Sequence, residues 1–348
     1  MTIPPDRQRE IAEIERIYQA AFVALGLKSA AESLDLWRDV PPHPSHAATA
    51  ITRYIDKVLK VAGLRRSHAK RLAIPYYRLI RALWTGSTIQ DFEVAVNGQV
   101  REAVHEAAKE SLDDLRKDFY KQVEALAPEA MPKRPKSSGD GSTTIDKIKD
   151  IEKKLNDLDK LIEQITRSDL AGIGGKAVKD LKAIDREQRA LDVDQQSEDL
   201  KKKQGSKAAA TVEKNSLDAA RHVMEAIGLN DPKAVGFMRV HTNPIDTPCG
   251  WCAMLMSRGL QVKYGKLKLA PKSLYNSSLT ATGKGSDHYH NNCHCRAVPI
   301  FSLDQVEEDP QFSLNRQYAT EWPQVTSGLS GKQALSKWRK HIRAKQNK

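Results

Sequence analysis

Apolar residues recur at intervals of three and four through most of the first part of the chain, which is the spacing of one buried face of an α-helix. The segments that carry this spacing, and for which we predict helices, are residues 11–27, 45–63, 67–83 and 91–126. Pro75 should kink or split the third helix, because proline has no N–H to donate within a helical turn. The Asn97-Gly98 pair should interrupt the fourth. The pattern predicts an all-helical N-terminal domain over residues 1–127.

The helical pattern stops at residues 128–144, which are rich in proline, glycine and serine and have the composition of a flexible linker. From Ile145 to Ile165 apolar residues return at mostly alternating intervals of three and four between charged residues, as along a coiled-coil seam. A weaker helical pattern covers residues 176–203, beyond a predicted turn at Gly172–Gly175. We therefore expect residues 145–215 to form an antiparallel helical hairpin or coiled coil. A single helix docked on the protein's own body would give the same pattern.

The last part of the chain shows shorter elements. A short helix is predicted over residues 217–228, and two short apolar runs at 235–240 and 297–301 are typical of strands. Together they predict a small α+β domain over residues 216–303. The tail, residues 304–348, is polar and we expect it to be irregular, with Trp322 and Trp338 as its main apolar anchors. The predicted fold class is mainly α, with a helical N-terminal domain, a central helical hairpin or coiled coil and this small C-terminal domain.

Composition narrows the function classes. The chain has 348 residues, which suggests two or three domains. No stretch approaches the roughly 18 apolar residues of a membrane span, so a membrane partner is not expected. Residues Met1 to Glu10 carry no apolar segment of the kind found in signal peptides.

The formal net charge is +12, which favours an acidic partner, with nucleic acid as the first candidate. From Lys332 to Lys348 the tail contains seven Lys or Arg residues and no acid. This segment is expected to contact packaged DNA through phosphates, without reading bases. A solvated helix surface, or an anchor to an acidic protein surface, explains the same charge equally well.

All four cysteines fall in one segment, in two pairs. Cys249 and Cys252 form a C-x2-C pair, and His290, Cys293 and Cys295 form an H-x2-C-x-C cluster. Zinc takes four sulfur or nitrogen ligands, usually as two short chelating pairs, so these five residues are candidates for four places around a structural Zn²⁺. The spacing does not decide which four bind. If a helix begins at Cys249, its N-terminal N–H groups favour thiolate over thiol.

Other interpretations of the cysteines remain open at this point. They could be reduced thiols that pack a small core, or they could form disulfides between the two pairs. A redox C-x-x-C normally sits in a βαβ context that this chain lacks. Four strong protein ligands leave no open coordination position, so the site is expected to be structural and we assign no catalytic residue. His288 and His294 are weaker ligand candidates that could orient a ligand through a hydrogen bond.

One catalytic alternative has a sequence basis. Asp287-His288-Tyr289-His290 is similar to the D-H-x-H of HNH endonucleases of the endonuclease VII type, which also carry a C-x-x-C. In those enzymes a histidine acts as general base beside a divalent ion. They close their structural zinc with a second C-x-x-C, however, whereas this chain has Cys293-x-Cys295. A downstream Asn or His for a metal-binding helix also has no clear match here.

The same residues carry a family resemblance. Residues 248–259, with the sequence PCGWCAMLMSRG, and residues 289–295, YHNNCHC, resemble the C-terminal region of MuF-like minor capsid proteins of tailed phages, especially phages of actinobacterial hosts. They are more distantly similar to the broader phage head-morphogenesis family, whose signature is C-x-x-C followed by H-x-x-C-x-C. Residues 73–86 resemble the helical segment of those phage proteins. The resemblance covers about a third of the chain, and residues 128–216 resemble no family that we can name.

This resemblance implies a minor head protein that associates with the portal and the capsid interior during head assembly. Its partners would be phage portal and capsid proteins, and no small-molecule substrate is expected. It would be found in the virion, and in the host cytoplasm during assembly. The family signature carries over residue by residue onto Cys249, Cys252, His290, Cys293 and Cys295. Some relatives are fused to maturation proteases or toxin domains, and a protease role here rests on that association alone.

Overall fold

Long helices form most of the protein in the computed structural model. It describes residues 3–41, 44–89, 106–107, 111–131, 163–164, 166–180, 193–241, 247–263, 266–269, 289–291 and 293–346. The helices are α1 (Pro5–Arg38), α2 (Pro44–Thr85), α3 (Leu112–Leu126), α4 (166–180), α5 (Val193–Asn230), α6 (Gly250–Met256), α7 (Leu303–Glu308), α8 (Ser313–Val325) and α9 (Gly331–Gln346). The strands are β1 (Thr88–Ile89), β2 (Glu106–Ala107), β3 (Gly236–Val240), β4 (Leu260–Lys263), β5 (Lys266–Leu269) and β6 (Arg296–Ile300). The prediction of a mainly α fold is confirmed.

Helices α1 and α2 form an antiparallel pair. The rings of Tyr18 and Tyr76 stack with their centroids 3.7 Å apart, and the hydroxyls of Ser33 and Tyr54 are hydrogen bonded at 2.7 Å. Helix α5 lies against both helices, and α3 completes the bundle. Residues of α1, α2, α3 and α5 share one hydrophobic core with Phe237 of β3 and Ala297 of β6. The N-terminal helices and the start of the C-terminal region are therefore one packed body.

Two predicted helices, 45–63 and 67–83, are one continuous helix, so the break predicted between them is wrong. Pro75 lies inside α2 and does not divide it. An interior proline costs a helix about 3 kcal/mol. Tyr76 and Tyr77 beside it are fully buried, as are Leu72 and Leu79 in the adjoining turns, so tertiary packing offsets that cost.

The helix predicted over 217–228 is the last third of α5, which begins at Val193. The predicted boundary between residues 215 and 216 therefore falls inside a helix and is wrong as a domain border. The start of this helix is polar on most sides, and apolar periodicity becomes dense only from Ala208 onward. Because of this polar start, the sequence pattern revealed only the last part of α5.

The predicted turn at Gly172–Gly175 is also wrong, because α4 runs through it. Gly174 faces α2 so closely that a Cβ there would lie 2.4 Å from the side chain of Ile51. Leu170 and Ala177 of α4 pack in a second apolar cluster around Trp37 of α1. This part of the chain docks on the body rather than projecting from it. The coiled-coil seam from Ile145 to Ile162 and at Ile165 lies outside the described residues, as do residues 132–144 of the predicted linker.

The two predicted strands are confirmed as β3 and β6. They pair antiparallel, with Met238 opposite Val298 and Val240 opposite Arg296. Strands β4 and β5 form a separate antiparallel pair that follows α6 and a short 3-10 turn. The C-terminal region is therefore a small α+β unit, as predicted.

The tail from residue 304 is helical, so the prediction of an irregular tail is wrong. Ala334, Trp338 and Ile342 are buried at intervals of four and give α9 an apolar face that packs on α6 and α8. The Trp322 and Trp338 rings meet at 5.2 Å, so both do serve as anchors. Among the described residues, no helix combines the length and apolar character that crossing a bilayer would need.

Candidate metal centre

Cys249 and Cys252 sit at the beginning of α6. Cys249 is the N-cap residue, and its sulfur accepts the backbone N–H of Cys252 at 3.4 Å. A helix start supplies unpaired N–H groups and a positive dipole end, which both stabilise a negative sulfur. The prediction that a helix begins at Cys249 is confirmed. Cys249 is half-buried, whereas Cys252 is buried.

His290, Cys293 and Cys295 come from the segment that leads into β6. Because β6 pairs with β3, and α6 packs against the same sheet, this segment is brought to the start of α6. The Nε2 atom of His290 lies 2.9 Å from the sulfur of Cys249 and 3.4 Å from that of Cys252. The sulfurs of Cys252 and Cys293 are 3.5 Å apart. The structure thus brings together all five residues that the sequence singled out.

The five side chains form two overlapping groups. One group contains Cys249, Cys252 and His290, the other contains Cys252, Cys293 and Cys295, and within each group all donor atoms lie within 4.8 Å of one another. Two sulfurs bound to one tetrahedral metal at about 2.3 Å are separated by about 3.8 Å. The 3.5 Å between the sulfurs of Cys252 and Cys293 is close to that value. All four cysteines are free thiols, so the disulfide alternative is excluded, and the groups could hold a metal ion.

Electrostatics favours the deprotonated sulfur that a metal needs at Cys249 and Cys293, whereas hydrogen bonds with Cys249, Cys293 and Cys295 raise the pKa of Cys252 well above its usual value. The hydrogen bond with Cys252, followed by the one with His290, lowers the pKa of Cys249 to about 4. The hydrogen bond with Cys249 in turn raises the pKa of His290 to about 9. A metal ion binds the thiolate and the neutral imidazole, so it would displace the protons of both groups. Deeper in the site, the hydrogen bond with Cys252 comes first among the causes that hold the pKa of Cys293 well below its usual value.

Two buried arginines surround the cysteine segment. Arg221 of α5 donates to the backbone carbonyls of Cys293 and Cys295, the latter at 2.9 Å. Arg239 of β3 donates to the sulfur of Cys252 at 3.7 Å. Both guanidinium groups lie 3.9 Å from the centre of the Tyr289 ring. Sequence reasoning missed both arginines, and the signal available was a charged residue inside an apolar run, since Arg239 interrupts Phe-Met-Arg-Val.

The neighbouring polar residues fasten this segment to α5. His294 lies outside both groups of candidate ligands, and its Nε2 is 2.8 Å from the Glu213 carboxylate. The Asn291 amide donates to the hydroxyl of Thr211 at 2.9 Å. Asp287 and His288, on which the nuclease interpretation depends, lie outside the described residues.

The structure also contains a serine–lysine contact, the pair of residues that a Ser/Lys protease would use. The Nζ of Lys233 donates to Ser87 Oγ at 2.9 Å, and Arg81 Nη1 donates to the same oxygen at 3.1 Å. A nucleophilic serine must instead give its proton to an unprotonated amine. Arg81 also forms a fully buried ion pair with Asp231 at 2.6 Å. The contact therefore belongs to a network that joins the end of α2 to the end of α5.

Comparison with known proteins places the site in a phage context. Residues 169–321 match the family described as VG15 protein, a family of phage proteins. The matched span begins in α4, includes the whole candidate metal centre and ends in α8. No curated protein and no solved structure matches the chain. Over the part that carries the site, the chain is thus similar to a phage protein family, whereas the narrower MuF-like assignment goes beyond this match.

Proposed function

We propose that this chain is a structural minor capsid protein of a tailed phage, of the MuF-like head-morphogenesis type, whose C-terminal region is tied by one Zn²⁺. The observation that carries the proposal is the meeting of two Cys/His clusters, separated by 37 intervening residues in the chain, around the sulfur of Cys252. The similarity to a phage protein family over the same region supports the phage setting.

Zinc is the metal that the donor set fits best. Every donor in the two groups is a sulfur or an imidazole nitrogen. Such sets bind zinc with four protein ligands in structural sites, whereas catalytic sites keep a place for water. Either four cysteines or three cysteines with His290 would complete the coordination. When bound, the ion would supply strong cross-links in a region with a small apolar core.

The position of the site gives the metal a structural task. Cys249 and Cys252 hold the start of α6, on which α9 packs. Cys293 and Cys295 hold the segment before β6, which Arg221 joins to α5. One ion would therefore fasten the last helices of the chain to the helical body. We expect this rigid assembly to dock on phage portal and capsid proteins, inside the virion and in the host cytoplasm during assembly.

The test uses the purified full-length chain. We expect one zinc ion per chain by elemental mass spectrometry. Removal of the metal with a chelator should lower the unfolding temperature and expose residues 250–346 to protease. His290→Gln should weaken zinc retention if His290 is a ligand, and Cys252→Ser should abolish it. His294→Gln is the matched control, since His294 lies outside both groups, and it should retain zinc fully.

The same preparation separates this proposal from a nuclease. With added Mg²⁺ or Mn²⁺ we expect no cleavage of supercoiled DNA. Reproducible nicking that is lost in His288→Ala would replace the structural role by an HNH-like activity. A metal-free protein that keeps a protease-resistant C-terminal region would overturn the zinc assignment. The portal association would fail if the protein were absent from assembled phage heads.

A further inference from the structure

Helix α9 presents five cations to solvent on one rigid surface. Lys332, Lys337, Arg339, Lys340 and Arg343 are all exposed, and none forms an ion pair with a carboxylate of the described residues. The two remaining basic side chains near the end of the helix, His341 and Lys345, are instead engaged with Glu321 of α8. The basic residues of α9 thus fall into two sets. His341 and Lys345 bind Glu321 within the protein, and the other five face solvent without an acidic partner among the described residues.

Three of the exposed cations lie in a line. Lys332, Arg339 and Arg343 are spaced by seven and four residues, so they lie within about 40° of one another around the helix axis and extend over about 16 Å. The buried side of α9 fixes the position of this row, because Trp338 is fully buried and contacts both Tyr318 and Trp322 of α8. A fixed row of like charges with no acid is costly in self-repulsion unless an anionic partner covers it.

The chemistry of this face selects among anionic partners. Its other exposed residues are small or polar, namely Gly331, Gln333, Ser336, Ala344 and Gln346. A membrane-surface helix would need large apolar side chains to insert beside its cations. Two of the three aligned cations are arginines, whose planar donors suit phosphate oxygens. Duplex DNA offers a phosphate charge about every 1.7 Å along its axis, a regular array along which a row of cations can bind.

We propose that the outer face of α9 binds the phosphate backbone of duplex DNA without reading its sequence, with Lys332, Arg339 and Arg343 as its central contacts. The inference goes beyond the proposed capsid role and does not depend on bound metal. If it fails, the zinc site and the structural role are unaffected, because their tests use other residues and other measurements.

The test measures binding of the full chain to a fluorescent 30-base-pair duplex as a function of salt. The variant carries Lys332→Gln, Arg339→Gln and Arg343→Gln. Each lost phosphate contact should reduce the slope of log K against log salt by about 0.9, so the triple variant should lose about 2.7 from the slope and bind at least about tenfold more weakly at 0.1 M salt.

A matched control removes the same charges elsewhere. Arg9, Arg38 and Lys117 are exposed cations of α1 and α3 that pair with nearby acids. Their triple substitution by glutamine should leave the slope nearly unchanged. A second control keeps the three charges but changes the side chains, as Lys332→Arg with Arg339→Lys and Arg343→Lys. This variant should bind DNA about as tightly as the wild type.

Three results would overturn the inference. The first is a wild-type slope near zero, and the second is an equal loss in both glutamine triples, which would assign binding to total charge. The third is binding to polyglutamate as tight and as salt-dependent as binding to DNA, which would make α9 an anchor for an acidic protein surface.

Discussion

Arg239 donates an N–H to the sulfur of Cys252 over 3.7 Å, and the same nitrogen lies 4.0 Å from the sulfur of Cys293. The side chain is buried in β3 and stacks on Tyr289, so it cannot turn away without disturbing the core. A cation fixed beside two thiolates compensates part of the negative charge that a zinc–thiolate site carries. Arg239 is therefore a positioning residue of the proposed metal centre.

Arg239→Met should lower zinc affinity by about tenfold to a hundredfold, the range typical for loss of a partner that supports a metal ligand. The measurement is competition with a chromogenic chelator. The charge-transfer band of the Co²⁺-substituted protein should also shift, because the hydrogen bonds to sulfur are lost. Arg239→Lys keeps the charge and should recover part of the affinity.

Arg258 provides the control, since it is exposed in the same region of the chain. Arg258→Met should retain wild-type zinc affinity and an unchanged cobalt spectrum. Equal behaviour of Arg239→Met and wild type in both measurements would show that Arg239 does not act on the metal centre.

A second prediction concerns the buried carboxylate that joins α1 to β6. Glu15 accepts hydrogen bonds from Arg296 at 2.6 Å and from the hydroxyl of Tyr76 at 2.6 Å. Both charged side chains are buried. Glu15→Ala leaves the guanidinium without its counter-charge, and such a loss typically costs about 3–5 kcal/mol of unfolding free energy. Urea unfolding followed by circular dichroism measures it.

The neighbouring Glu13 is exposed on the same helix and serves as the control. Glu13→Ala should change the unfolding free energy by less than about 0.5 kcal/mol. If the two alanine variants unfold at the same urea concentration, Glu15 does not link the helices to the strand.

The sequence predicted the presence of most helices more accurately than the residues at which they begin and end. Helical spacing revealed α1, α2, α3 and part of α5, because each buries an apolar stripe that recurs at three and four. It failed where tertiary packing overrides a local break signal, as at Pro75, and where a polar helix is held by contacts distant in sequence, as at the start of α5. In the tail, the stripe of Ala334, Trp338 and Ile342 was present but too sparse to stand out.

The sequence predicted the candidate metal ligands of the site but not the residues that surround and support them. The ligand spacing is local, since Cys249 and Cys252 lie three residues apart and His290 and Cys293 also three. The supporting arginines lie on α5 and β3, far from these clusters along the chain, and only folding brings them together. A charged residue in an apolar run is a general signal of a buried polar contact, but it does not name the partner.

A third prediction tests the close approach of α5 to α1. A Cβ added at Gly205 would lie 2.4 Å from Cδ1 and 2.8 Å from Nε1 of Trp37. That indole is fixed by its hydrogen bond to the carbonyl of Lys201 at 2.9 Å, so it cannot yield easily. Gly205→Ala should destabilise the protein by about 1–3 kcal/mol through overpacking. Differential scanning fluorimetry and urea unfolding measure the loss.

Gly172 in α4 is the matched control, because a Cβ there meets nothing within 4 Å. Gly172→Ala should be neutral or raise stability by up to about 1 kcal/mol, since alanine favours a helix over glycine. A Gly205→Ala protein as stable as Gly172→Ala would contradict the close packing of α5 on α1.

The last prediction concerns the carboxylate that clamps α9 to α8. Glu321 accepts from Lys345 Nζ at 2.7 Å and from His341 Nε2 at 2.9 Å. Burial acts to raise the pKa of Glu321, but the hydrogen bonds from Lys345, His341 and Gln317 outweigh it and hold the pKa below its ordinary value of 4.5. A carboxyl with a depressed folded pKa stabilises the fold above its unfolded pKa and loses that effect as pH falls through the folded pKa.

The wild type should therefore exceed Glu321→Gln in stability by about 0.5–1 kcal/mol at neutral pH. The difference should shrink as the pH falls below about 4.5 and vanish once the wild-type carboxyl is protonated. Thermal unfolding of both proteins from pH 3 to 7 measures it, and acid effects on the metal centre cancel because both proteins carry the same cysteines. Glu307→Gln, at an exposed position of α7, is the control and should leave the unfolding temperature at neutral pH unchanged. A gap between wild type and Glu321→Gln that persists at pH 3 would assign the effect to packing instead of charge.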